Sequence, residues 1–578
     1  MLNRRKFLTR SALLAAGAPL LHPTIASASG ALDLAQRRDR GFVDPRGLAR
    51  SAELKALVQK ALDTAAAHKA SYAEVHRSLE FERSFEGQRY LGEICTYHIG
   101  VRALNNGYWG FASAPWLSDT DVVRVAIDAA THAAGFGATR PARAMAMAPH
   151  PQVERNGDWT TPAEILPYEM DIGEVIDGCK GVTRHYSQIF RHRHGEGDQD
   201  AQTSWGAGSK GFHLARTDVI NASSEGSYTV QTFHHGEPGT VATSILENTL
   251  PKVPLPSVHY VAQDTGLVPS LFPTSGLENY FSLPVEAMFE RWIEAVKWAK
   301  ALPLKPMEVG KYDLLIDWQT MGRVLGATLG PATQLDLALG DHANGVGTSY
   351  LGPDIETYLG SVVAAPQVTI RADRSTPGAE ATVKWDSEGV VPRDVELVRE
   401  GRLVNYQTGR EGAGWLRTMP GSSAIHTTMH TAMSAGFMGR NAQTAANVPL
   451  QHLPNFTLVP DANGPSFAEM LTSMKKGYLL AGANVSTDFQ CLNGVAAGRL
   501  YEVEHGKITA HIVGGALLFR SPEFWNNIVT LGGPASARWT SVSGQKGEPL
   551  QEGAASISAV PAIVKQATLV RGDNPAAP

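Results

Sequence analysis

The pair of imidazoles at His426 and His430 in His426-Thr427-Thr428-Met429-His430 is the spacing that would put two metal ligands one turn apart on a helix. No Glu adjoins the first His, and Ser422, the two Thr residues and Gly436 suit a loop equally well. They are metal candidates on spacing alone. Two other runs mix His with acids, His192-Arg193-His194-Gly195-Glu196-Gly197-Asp198 and His234-His235-Gly236-Glu237. Such runs could meet a cation in space, and more often they are solvated turns. Asp341-His342 could form a carboxylate–imidazole pair that orients a base, but no nucleophile accompanies it. The chain has no GxSxG elbow, no P-loop and no Rossmann fingerprint, so serine hydrolysis and nucleotide chemistry find little support.

The elements that must position these groups fall into several blocks. Residues 1–28 read as a twin-arginine signal peptide. Asn3-Arg4-Arg5-Lys6-Phe7-Leu8 is the head, Ser11 to Leu21 the apolar middle, and Ala26-Ser27-Ala28 the small-residue cleavage site. Export to the periplasm or exterior is expected. Cleavage removes Arg4, Arg5, Lys6 and Arg10 with no acid, taking the formal charge from -5 to -9. An acidic body disfavours nucleic acid as a partner, and no later apolar run reaches spanning length, so no integral membrane segment is expected. Cys95, Cys179 and Cys491 are scattered and form no CxxC, which fits small buried hydrophobes better than a disulfide framework.

Residues 29–46 are a polar linker. Residues 47–305 read as α/β: a helical period from Leu48 to His68, strand-like runs over Ser71 to Phe85 and Glu93 to Leu104, a hairpin turn at Asn105-Asn106-Gly107, a helix after Asp119, and an amphipathic helix from Pro284 to Leu302. From 306 to 570 the pattern is β-rich, with strands expected at Tyr312–Asp317, Gln367–Ala372, Ala381–Asp386, Val395–Val398 and Lys507–Phe519. The tail, 571–578, reads as disordered. The predicted class is α+β, an α/β N-terminal region followed by a β-rich C-terminal domain.

Several segments, in this order, resemble the TldD/PmbA family. They are Ser71-Tyr72-Ala73-Glu74-Val75, Gly100-Val101-Arg102, Gly107-Tyr108-Trp109-Gly110-Phe111-Ala112-Ser113, Thr376-Pro377-Gly378, Trp385-Asp386-Ser387-Glu388-Gly389, Glu400-Gly401-Arg402-Leu403, Lys476-Gly477-Tyr478-Leu479, Glu502 to Ile508 and Gly514-Gly515-Ala516-Leu517-Leu518. The resemblance implies a metallopeptidase scaffold. Its active members carry HExxxH on a helix and a late Cys, which together hold zinc and its activated water.

Aligned outward from Gly347-Thr348-Ser349, the metal-binding stretch falls on Ala332 to Gly340, and the whole run from Asp317 to Asp341 holds neither His nor Glu. Thr540 to Gly547 is similar to the family's "CGKxGQ" segment, with Ser543 at the Cys position. Thr333, Gln334, Asp336 and Ser543 are therefore the expected remnants of the cleft, with no catalytic residue, no bound metal and no cofactor. Zinc enters only if a non-family site exists. What the resemblance implies is a non-catalytic subunit of the zinc-less TldE/PmbA type, partnered by a TldD-like zinc-bearing paralogue or by its own copy and enclosing peptides. A metallopeptidase with a rebuilt site and a stand-alone peptide-binding protein are the alternatives.

Overall fold

The computed structural model describes residues 52–86, 89–115, 119–139, 147–150, 154–166, most of 168–177, 203–209, 212–238, 241–247, 258–261, 298, 301–418, 445–547 and 550–572. The signal peptide, the linker at 29–46, nearly all of the helix expected at 284–302, the His192–Asp198 run, and His426 with His430 lie outside these residues.

The N-terminal half is a sheet backed by two helices. Helix α1 (Ala52–Ala67) buries Leu54, Val58, Ala61, Leu62 and Ala65, the 3–4 spacing that makes one apolar stripe. Strands β1 (Tyr72–Glu86), β2 (Arg89–Asn105) and β3 (Tyr108–Pro115) form an antiparallel meander, followed by α2 (Asp119–Thr139). The β2–β3 turn places Asn106 and Gly107 at φ +51° and +81°, the left-handed pair that a two-residue hairpin requires. Gly110 is forced by proximity, since a Cβ there would lie 2.1 Å from the Ala129 carbonyl oxygen of α2. After β4 (Asn156–Thr160), β5 (Thr203–Ser209), β6 (Phe212–Ser223), β7 (Tyr228–Pro238), β8 (Val241–Glu247) and β9 (Val258–Val261), the sheet order is β3-β2-β1-β6-β7-β4, with a separate β5-β8-β9 sheet.

The C-terminal half starts with β10 (Leu304–Pro306), β11 (Gly310–Ile316) and α3 (Trp318–Ala327), whose N-cap Asp317 accepts a hydrogen bond from the Thr320 amide. Two single-turn helices follow, α4 (Leu329–Ala332) and α5 (Leu335–Ala338), and then α6 (Ile355–Tyr358). Next come β12 (Ile370–Asp373), β13 (Val395–Arg399), β14 (Arg402–Leu403), α7 (Arg410–Thr418), β15 (Asn455–Leu458) and α8 (Phe467–Ser473). The closing elements are β16 (Lys476–Thr487), β17 (Asn493–Glu504), β18 (Lys507–Val513), β19 (Gly515–Arg520), α9 (Ser521–Asn526), β20 (Ile528–Leu531), β21 (Arg538–Lys546), β22 (Gln551–Ala559) and β23 (Ala562–Arg571).

One sheet runs β10-β18-β17-β16-β11-β23-β19, and β19 also pairs with β17, so five of its strands close on themselves. A second sheet runs β14-β13-β12-β15-β22-β21. Between them lies the main core, with Leu325, Phe456, Trp525 and Ile557 all buried. Helix α3 lies across β21 and β22 because Gly322 and Gly326 leave room for Thr540, Val542 and Ile557.

The α+β class is as expected, and two strand readings need correction. Ala381–Asp386 is not a strand but a loop, tied down by Arg374, which donates to the Ala381 carbonyl, and by Gln231, which donates to Trp385 O and accepts from Lys384 N. Lys507–Phe519 is two strands, divided where Gly514 takes φ +69°.

Candidate functional site: a cleft around Lys546

The stretch aligned with the metal helix is not one helix. Helix α4 ends at Ala332 with Thr333 as its C-cap, Gln334 is extended at ψ 124°, and α5 restarts at Leu335. Gln407 staples this break. Its amide donates to Thr333 O, its carbonyl accepts from Leu335 N, and its Nε2 donates to Gly330 O (2.7 Å) and Thr333 Oγ1 (2.8 Å). Thr333 is therefore fully buried and turned toward Gln407, and it takes no part in the cavity wall.

The other three remnants do gather. Gln334 and Ser543 line a cavity of about 420 Å³ that opens between the α3–α5 region and the end of β21. At its floor the Lys546 ammonium donates to Asp336 Oδ2 at 2.6 Å, Gln451 O at 2.8 Å and Gln334 Oε1 at 3.1 Å. His342 Nε2 donates to the same Asp336 oxygen at 3.2 Å. The carboxylate–imidazole pair of this region is thus Asp336–His342 rather than Asp341–His342, because the turn after α5 brings the ring back over its own first residues.

Burial alone would raise the Asp336 carboxyl. The Lys546 charge and the hydrogen bonds from His342 and Lys546 outweigh it and bring the pKa down to about 2. Burial lowers the Lys546 pKa, opposed by Asp336. His452, also in the wall, is kept neutral by burial and by the nearby Lys546 and Arg374 cations, with its pKa pushed down to about 3.

These residues do not fit zinc. One carboxylate, one amide and one hydroxyl replace imidazole and thiolate donors, and an ammonium without a lone pair already occupies the carboxylate. Among the described residues no group of three or more His, Cys, Asp or Glu is placed to hold a metal ion. His234 of the second His/acid run is buried on β7, where burial, then Arg216, lower its pKa to about 4.

A second polar cluster went unseen in the sequence. Glu74 on β1 receives Arg102 of β2 through Nε (3.1 Å) and Nη2 (3.0 Å), and Arg102 also reaches Glu388 of the C-terminal half at 3.5 Å. Glu388 accepts from the Arg410 amide at 2.9 Å, while the Arg410 side chain donates to Ala148 O, Tyr72 Oη and Glu225 Oε2. Trp109 covers the Arg102 guanidinium at 3.8 Å and donates its indole N–H to Glu411. Burial would raise Glu74, but Arg102 and His76 overcome it and hold the carboxyl at about 2, whereas burial and Glu74 both push Glu388 up. The cluster clasps the two halves. Glu74, Arg102 and Glu388 sit in three of the segments that carry the resemblance, and a buried-type segment bearing a charged residue was the available signal.

Comparison with known proteins bears on both features. The PmbA/TldA metallopeptidase C-terminal domain model matches residues 309–558, which contain the whole Lys546 cleft. Residues 309–558 are thus a domain of the PmbA/TldA metallopeptidase C-terminal type. Metalloprotease MJ0996 of Methanocaldococcus jannaschii is 26% identical over 235 residues, covering 40% of this chain and 44% of that protein. A metalloprotease of Methanothermobacter thermautotrophicus is 27% identical over 211 residues, 36% of this chain and 39% of its own. The chain thus matches less than half the length of these curated relatives. In fold it is similar to a modulator of DNA gyrase from Bacteroides thetaiotaomicron (TM-score 0.62, 13% identity, 90% of this chain and 99% of that one). It is also similar to TldE from Thermococcus kodakarensis (TM-score 0.59, 14% identity, 90% and 100%). No helix among the described residues is long and apolar enough to cross a membrane.

Proposed function

We propose that this TldD/PmbA protein is an exported, non-hydrolytic subunit of a peptidase assembly, binding peptide segments beside a zinc-bearing paralogue of the same family. The observation that carries the reading is Lys546. Where the family's hydrolytic members hold a dication between a helix and the late Cys segment, this chain has an ammonium tied to Asp336, Gln334 and Gln451. An ammonium supplies the positive charge the cleft needs and cannot polarise a water as a Lewis acid does. Export rests on Arg4-Arg5 and Ala26-Ser27-Ala28. The pairing rests on the likeness to TldE and on family resemblance.

The test is to purify the mature chain without chelators, measure zinc by elemental analysis, and incubate it with unstructured peptides followed by mass spectrometry. Neither stoichiometric zinc nor product is expected from the chain alone, with cleavage appearing when a paralogue carrying HExxxH is added. One zinc per chain together with chelator-sensitive cleavage by the chain alone would overturn the reading.

A further inference from the structure

A lysine in a cleft invites an anionic ligand, and the geometry here argues otherwise. All three Lys546 N–H bonds are spent, on Asp336, Gln451 and Gln334. The other formal charge in the wall, Asp488, is spent as well: its carboxylate accepts from the amides of Gln490, Leu492 and Asn493 and from Asn493 Nδ2. His452 is neutral. The cavity therefore has charge in its structure and none free to offer a ligand.

What it does present is apolar. Leu337, Val346, Leu453 and Pro331 contribute to the wall, and at the lip stands Phe489 with 71% of its surface exposed. The backbone that carries this ring is braced on both sides. Phe489 O accepts from Thr348 N at 2.7 Å, Gln490 O accepts from Tyr350 N at 3.0 Å, and Asp488 N donates to Asn493 O at 2.9 Å. Gly347, at φ +119°, packs so closely that a Cβ would lie 2.2 Å from Phe489 O. An aromatic ring left in water on a backbone fixed at four points, beside a cavity large enough for a side chain, is the anatomy of an anchor pocket.

We infer that this cavity is a selectivity pocket for one aromatic or branched apolar side chain of a peptide, with Phe489 as the ring against which that side chain packs. The inference deepens the proposed peptide-binding role and rests on it.

The experiment uses the mature chain and four acetylated, amidated Gly/Ser heptapeptides that differ only at the central residue: Phe, Leu, Gly or Asp. Calorimetric titration is expected to give about tenfold tighter binding for the Phe and Leu peptides than for the Gly peptide, the order expected for burying one apolar side chain. Phe489→Ala should erase that ratio and leave the Gly peptide's affinity unchanged, while Phe489→Trp retains the ratio. Because Phe489 is exposed, unchanged melting temperatures are expected for both variants. A ratio near one, strongest binding of the Asp peptide, no binding of any peptide, or a ratio that survives Phe489→Ala would each overturn the inference. Masses of the same mixtures read the other claim separately: cleaved products with the preference intact would refute the non-hydrolytic role and leave the pocket standing.

Discussion

Lys546 and Asp336 come from opposite ends of the C-terminal domain and meet at 2.6 Å, the ammonium almost fully covered and the carboxylate about one fifth exposed. Such a pair adds little net stability over an apolar replacement of both, yet losing one member leaves the other stranded. Lys546→Met should therefore cost about 3 kcal/mol in urea unfolding. The double variant Lys546→Met with Asp336→Asn should recover part of that loss. Costs that simply add in the double variant would show that the two residues do not act as a pair.

The acid limb of stability has a definite sign. Asp336 and Glu74 both have folded pKa values of about 2, below the usual carboxylate range. Their contributions are complete above about pH 4–5 and are lost as pH falls toward 2. Glu388, whose pKa is raised, acts in the opposite sense: its protonation in the folded protein relieves repulsion as pH falls. Asp336→Asn should flatten the acid limb of a denaturation-versus-pH curve and Glu388→Gln should steepen it. An unchanged curve in Asp336→Asn would refute the assignment.

Arg410 has a side chain only 2% exposed and binds three N-terminal groups, Ala148 O, Tyr72 Oη and Glu225. Arg410→Met should lower stability by about 3–5 kcal/mol and let limited proteolysis separate the halves. Loss of stability with no change in the cleavage pattern would place its role within one half instead.

Ser543→Cys restores the thiolate position alone. Since Lys546 remains paired with Asp336 and the cavity wall offers a single imidazole, His452, short of the three protein ligands a zinc site needs, stoichiometric zinc is not expected by elemental analysis. One zinc per chain in this variant would mean that the rest of the site is competent.

Periodicity made the helices at 52–67 and 119–139 and the Asn106-Gly107 hairpin legible, because each depends on near neighbours. The absence of His and Glu from residues 317–341 was equally plain, being a matter of residue types. Lys546 was harder to weigh: it stands in a quoted segment, but its role depends on Asp336, 210 residues away, and nothing local in the sequence joins them. The break at Gln334 in the stretch aligned with the metal helix depends on the staple from Gln407, 74 residues beyond Thr333, and the strand at Ala381–Asp386 fails because tertiary bonds to Arg374 and Gln231 replace ladder bonds.

Glu74, Arg102 and Glu388 meet in one buried cluster although they belong to three of the segments by which the chain resembles its relatives. What such a signature tracks is the joint between two lobes. Such a joint is held by every fold that needs both lobes, whatever its cleft does, because an unassembled joint is a misfolded protein. Kinship detected through these residues therefore says how a descendant is put together, and its trade has to be read from the cleft itself.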